Sequence, residues 1–166
     1  MPNLVPIEDE AISKALERHF KKSKINIYLK TKVSKIDSLK STVNVHLERN
    51  GKKEMIAGDI ALVAVGVTGN IESIGLEDVG VSTDKGAINI NAYNQTSVPN
   101  IYAIGDVSGP PWLAHVASAQ GHVAAEHAGG HPTAPVDYST IPGCTYCQPQ
   151  IASMGLTESA AKESGF

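Results

Sequence analysis

Two groups of residues in this chain have types and spacing that could do chemistry. The first is Gly105-Asp106, which closes the apolar run 101–104. That run predicts a short buried strand. A glycine at its end lets the backbone approach a bound group, since no side chain intervenes. An aspartate just past it offers two acceptor oxygens, which suit a sugar hydroxyl. In open α/β sheets, ligands sit beyond the carboxyl ends of the strands. Ser108-Gly-Pro-Pro-Trp-Leu-Ala-His115 follows. The Pro110-Pro111 pair forces an extended approach. Val116, Ala119, Val123, Ala124 and His127 then recur at helical spacing. A helix starting at Leu113 to His115 would aim its N–H groups and positive dipole end back toward Asp106. That combination suits a ligand with sugar hydroxyls and a negative, ring-bound oxygen. An ordinary strand-loop-helix unit would carry the same residues.

The second group is Cys144-Thr-Tyr-Cys147, a spacing used by redox disulfides and by half of a zinc site. A redox pair of this kind opens a helix after a strand, where the dipole lowers one thiol's pKa. This pair lies instead between Pro142 and a predicted strand. Zinc would need two more ligands, and His122, His127 and His131 belong to a different predicted element. Buried or incidental thiols are the favoured reading.

The elements that must position these groups follow from periodicity. Residues 8–22 predict an amphipathic helix with Ala11, Ile12, Ala15, Leu16, His19 and Phe20 as its apolar stripe. Short strands are expected at 25–29 and 32–36. Residues 42–48 and 53–57 predict a hairpin joined by Asn50-Gly51. The continuous apolar run 60–65 predicts a strand covered on both faces. A glycine-punctuated connection spans 69–80, and a short strand is expected at 87–90. The helix after Asp106 should run to Ala128, where Gly129-Gly130-His-Pro132 stops it. Residues 134–143 predict a linker, 145–154 a strand, and 157–164 a helix capped by Thr157. The fold class is α/β.

Composition bounds the function. A chain of 166 residues with 42% hydrophobic and 19% charged residues can bury a real core. The net charge of -3 argues against a nucleic-acid surface. No apolar run approaches the roughly 20 residues that cross a bilayer. Met-Pro-Asn-Leu-Val-Pro carries no basic segment and no apolar core of a secretory signal, so a cytoplasmic setting is expected.

The run Thr96-Ser-Val-Pro-Asn-Ile-Tyr-Ala-Ile-Gly-Asp-Val107, followed by Trp-Leu-Ala-His115, resembles the second flavin-binding motif of the pyridine nucleotide-disulfide oxidoreductases. Within that family the dihydrolipoyl dehydrogenase branch is the nearer likeness. Residues 4–13, Ala64-Val-Gly66, 74–80 and 151–158 fall in family order, so the resemblance covers essentially the whole chain. It implies a partial FAD/NAD(P)-binding, glutathione-reductase-like architecture. Residues 1–62 would be the C-terminal half of an NAD-binding domain, and 63–132 the returning segment of an FAD-binding domain. Residues 138–166 would begin an α+β interface domain that dimerises.

The resemblance implies FAD and NAD as cofactors, with Val33 and Gly66 approaching the dinucleotide. Asp106 would accept hydrogen bonds from the ribityl chain. The backbone at Trp112, Leu113, Ala114 and His115 would face the pyrimidine end of the flavin. Oxidation of dihydrolipoamide on lipoyl-bearing subunits of 2-oxoacid dehydrogenase or glycine cleavage complexes is the implied activity, with a homodimer as the implied assembly. Mercuric and glutathione reductase types are the alternatives within the family, and a non-catalytic truncated scaffold is the alternative outside it. Four departures matter. No two glycines are separated by a single residue, so the chain contains no G-x-G-x-x-G. The family's redox disulfide has a longer cysteine spacing than Cys144-x-x-Cys147, and His131-Pro-Thr133 lacks the following glutamate of the family's catalytic base. Val67-Thr-Gly-Asn70 replaces the usual Arg-x-Pro-Asn. The chain is therefore expected to be an internal piece of such an enzyme and inactive alone.

Overall fold

The computed structural model describes residues 1–166, which form two compact units, Met1–Ala64 with Pro142–Phe166, and Val65–Ile141.

In the first unit, helix α1 spans Glu10–Lys22. Its buried face holds Ser13 and Leu16, while Ile12 is exposed, so the stripe is rotated from the one expected. The reason is polar. Ser13 Oγ accepts the Val5 backbone N–H at 3.1 Å, which turns that face inward. Lys24, at φ 60°, ends the helix, with Ile25 N–H donating to the Phe20 carbonyl and Lys24 N–H to that of Lys21. Ile25 is thus used by the helix stop, and no strand forms at 25–29.

Strands β1 (Lys32–Ser38), β2 (Val43–Arg49) and β3 (Lys52–Gly58) make an antiparallel meander in that order. Asn50 and Gly51 both take positive φ (51° and 75°), as a two-residue hairpin turn with the sheet's twist requires. The β1–β2 register shifts between Val33 and Lys35, leaving Ser34 as the extra residue of a bulge. The run 60–65 forms no strand, contrary to its expected burial on both faces. Ile60, Leu62 and Val65 are each about nine-tenths exposed. A strand exists only through ladder hydrogen bonds to a neighbour, and no segment of this chain pairs with it.

The rest of this unit holds a small hairpin of β6 (Gly143–Thr145) and β7 (Ile151–Ser153), where one longer strand was expected. Helix α3 (Glu158–Glu163) follows, with Thr157 Oγ1 capping Ala160 N–H as predicted. Asp9, placed as a cap for α1, instead accepts Glu158 N–H at 2.8 Å, and Ser153 Oγ donates to Glu8. These contacts tie the last elements to the first helix.

The second unit begins with loop 65–82. Strands β4 (Thr83–Asp84) and β5 (Ala87–Ile88) then form a hairpin through Lys85-Gly86. Val81, Ile88 and Ala103 are its buried core, packed by Ile71, Leu76, Ile90, Val98, Ile101 and Val107. The expected strand 101–104 is reduced to a single bridge, Tyr102 to Gln95. Around it, Thr96 N–H donates to Ile101 O and Ala103 N–H to Asn94 O. A 3₁₀ turn covers Gly105–Ser108, and helix α2 covers Ala114–Ala128 with Leu113 as its N-cap, matching the expected span. At its end His131 N–H donates to Glu126 O and Gly130 N–H to His127 O. The expected linker carries a 3₁₀ turn at Tyr138–Thr140.

Candidate functional site

The site lies in the second unit, where backbone leaves the bridge at Tyr102 and turns sharply. Gly105 sits at φ +72°. Its N–H donates to Gln120 Oε1 at 2.7 Å, and its carbonyl accepts Ser108 Oγ–H at 2.7 Å. Gly109 N–H closes the turn on the Asp106 carbonyl at 3.2 Å. The Asp106 side chain is left exposed and makes no ion pair.

A cleft of about 230 Å³ opens beside it, walled by Val67, Thr68, Gly69, Gly86, Asp106 and Trp112, with Asp84 and Lys85 at its charged edge. Its walls are tightly joined. Gly69 N–H donates to Gly86 O at 3.1 Å. A Cβ on Gly69 would stand 2.7 Å from that same oxygen. A Cβ on Gly86 would stand 2.1 Å from Thr68 Oγ1.

Val116 and Ala117 N–H both donate to the Leu113 carbonyl. Leu113's own N–H is taken by Pro111 O at 3.0 Å. The helix's positive end therefore begins at Ala114. No side chain caps it, which leaves that end for an anionic or strongly accepting group.

Of the residues singled out from sequence, Asp106 and Trp112 line this cleft together. Gly66 adjoins its wall at φ +132°, and a Cβ there would meet open space. Leu113, Ala114 and His115 open α2, the last two exposed. Val33 belongs to the other unit, on β1, where it is 52% exposed and faces Leu47 in the register.

Of the two readings of the cysteines, buried or incidental, burial fails for Cys144: it is exposed on β6, and Cys147 is half-buried, with its Sγ 3.1 Å from Pro149 O. Both are free thiols. Of the histidines weighed as ligands, His127 is committed elsewhere. Its ring stacks on Tyr93 at 4.6 Å, and its Nδ1 lies 2.8 Å from Tyr102 OH.

Sequence reasoning missed the polar residue that holds the turn. Gln120 is 3% exposed and reaches Gly105, Ser108 and Tyr138. Its signal was present. It falls on the same helical stripe as Val116, Val123 and Ala124, and a polar residue on a buried stripe must find partners. Asn94, 2% exposed at φ 62°, was missed too. Its Nδ2 donates to Gln120 O at 3.2 Å.

Comparison with known proteins gives the family. Residues 1–121 match the family described as pyridine nucleotide-disulphide oxidoreductase. The chain is 45% identical over 167 residues to the dihydrolipoyl dehydrogenase of Rhizobium etli, covering 99% of this chain and 35% of that protein. It is 45% identical over 168 residues to the dihydrolipoyl dehydrogenase of Mycobacterium leprae, covering 100% and 36%. Among solved structures, LpdA from Mycobacterium tuberculosis superposes with a TM-score of 0.86 at 27% identity, over 95% of this chain and 34% of that one. The HOCl-induced flavoprotein disulfide reductase RclA from Escherichia coli shares the fold, with a TM-score of 0.86 at 24% identity over 97% and 37%. The chain thus spans about a third of the length of the curated relatives it matches. With an α/β architecture of the glutathione-reductase type and a family match over most of its length, the chain belongs to the pyridine nucleotide-disulphide oxidoreductase family.

Proposed function

We propose that these residues are part of a dihydrolipoyl dehydrogenase that uses FAD and NAD. The reaction is dihydrolipoamide + NAD+ → lipoamide + NADH + H+, with lipoyl-bearing subunits of 2-oxoacid dehydrogenase or glycine cleavage complexes as partners, a homodimer as the assembly and the cytoplasm as the setting. In this reading residues 1–62 belong to the NAD-binding domain, 63–132 to the FAD-binding domain and 138–166 to the interface domain. Val33 and Gly66 approach the dinucleotide. The observation that carries the reading is the Asp106 carboxylate, exposed on a cleft wall eight residues ahead of the first residue of α2, whose end no side chain caps.

The residues present fit part of a flavin. Gly105 and Gly109 keep side chains away from the turn. Asp106 has two acceptors for ribityl hydroxyls. FAD, when bound, supplies the two-electron acceptor. The backbone from Trp112 to His115 supplies the positive helix end that favours negative charge at the pyrimidine edge. Trp112 lines the cleft beside Asp106.

These 166 residues alone are expected to lack turnover. The two cysteines lie at Cys-x-x-Cys spacing around the β6 hairpin, whereas the family's redox pair is spaced further apart. The fold shared with RclA makes another disulfide reductase the second reading. The test is FAD titration of the full-length protein, followed by the change in flavin fluorescence on binding. Asp106→Asn should weaken binding about tenfold, the scale of a charge-assisted hydrogen bond. Unchanged affinity would refute the role of Asp106. Turnover of lipoamide separates the two readings, and turnover by the isolated 166 residues would refute the expected inactivity.

A further inference from the structure

The turn that presents Asp106 is built on a residue with little restraint of its own. Gly105 can take either sign of φ, so nothing in its covalent structure holds the +72° it adopts. A swing of that peptide would redirect Asp106, the next residue. The hold comes from outside the turn. Gln120 Oε1 accepts Gly105 N–H at 2.7 Å, and Gln120 Nε2 donates to Tyr138 OH at 2.8 Å and to Ser108 Oγ at 3.4 Å. Ser108 in turn donates to the Gly105 carbonyl at 2.7 Å. Both polar groups of the Gly105 backbone are therefore tied, directly or through one hydroxyl, to a single amide.

That amide is itself immobilised. Gln120 is 3% exposed on the buried face of α2, and its backbone carbonyl accepts Asn94 Nδ2 from a residue 2% exposed. A leucine would fill such a helix face without burying an amide. The polar choice is explained by what it grips.

We propose that Gln120 is a positioning residue that fixes the direction of the Asp106 carboxylate toward the ribityl hydroxyls of FAD, an inference that rests on the flavin-binding role proposed for Asp106. The Gly105 N–H, a donor only, requires the amide oxygen to face it, and Tyr138 is the outer anchor that holds the amide nitrogen on the far side. Gln120 acts only through Asp106 and touches no ligand itself. The contribution to flavin binding should therefore vanish when Asp106 can no longer contribute.

The experiment is a double-mutant cycle on the full-length holoenzyme, reading the FAD dissociation constant and the thermal midpoint. Gln120→Leu should weaken FAD about tenfold in the native background and less than about twofold beside Asp106→Ala, which leaves no acceptor at that position. Gln120→Glu should restore affinity to within about threefold, because a carboxylate accepts both Gly105 N–H and Tyr138 O–H. Tyr138→Phe, a change at a half-exposed side chain, should weaken FAD about threefold in the native background alone and serves if Gln120→Leu does not fold. Equal weakening in both backgrounds, or a lowered thermal midpoint with FAD affinity intact, would overturn the positioning role and leave that of Asp106 standing. An Asp106→Asn enzyme with unchanged affinity would remove the premise instead.

Discussion

Gly86→Ala puts a methyl group where the cleft wall has no room, and the cost can be separated into two parts. Gly86 occupies φ +80°, so any Cβ meets its own carbonyl, at about 1–2 kcal/mol. The new Cβ would also lie 2.1 Å from Thr68 Oγ1 and 3.4 Å from Thr68 Cβ. Relieving that overlap requires a rotamer change or a shift of loop 67–69, typically about 1–3 kcal/mol. Together the variant should lose about 2–5 kcal/mol. Thr68 is exposed, so Thr68→Ala alone should stay within about 0.5 kcal/mol of native. In the double variant the overlap is gone and only the backbone part remains, so the coupling should equal the steric part, about 1–3 kcal/mol. Guanidinium unfolding followed by Trp112 fluorescence is the assay. Trp112 lines the same cleft in the same unit, so it reports this unit and not the other. A single variant within about 0.5 kcal/mol of native, or a double variant no more stable than Gly86→Ala, would show that the wall is not packed as described.

Three further outcomes follow from other parts of the structure. Asn94→Ala removes a buried donor to Gln120 O and puts alanine at φ 62°; it should cost about 2–4 kcal/mol, with Asn94→Gly about 1 kcal/mol milder, both read by the Trp112 unfolding curve. The Asp37 carboxyl is held below its usual range by the Lys35 ammonium first and the His46 ring second. A depressed carboxylate stabilises above its unfolded pKa, so this contribution is present at neutral pH and is lost as the pH falls below about 4. A carboxyl NMR titration should find a low midpoint that moves up in Lys35→Met, and an unmoved midpoint would contradict it. Cys144 should react with a limiting thiol reagent before Cys147, which is half-buried with Sγ near two carbonyls. Mass spectrometry showing Cys147 modified first would reverse that order.

Local chemistry was legible in the residues where short-range rules suffice. The span of α2, its stop at Gly129-Gly130, the Asn50-Gly51 hairpin and the Thr157 cap all depend on neighbours within a few positions, and all appear as expected. The Gly105-Asp106 turn ahead of α2 was likewise readable, because a glycine, an acid and a helix start in sequence constrain one another. Elements whose existence needs a distant partner were not. Runs 25–29, 60–65 and most of 101–104 have strand composition but lack a full ladder, and of 145–154 only Ile151–Ser153 and the last residue of β6 are strand. Tertiary structure alone decided that Ser13 rather than Ile12 turns inward on α1, that the Asp9 side chain accepts a first-turn N–H of α3 instead of one from its own helix, and that Gln120 grips Gly105 across fifteen residues. Helix propensity and hydrophobic spacing depend on which residues are adjacent along the chain. Which polar groups share a buried site depends on which distant backbones meet there, and only the folded chain brings them together.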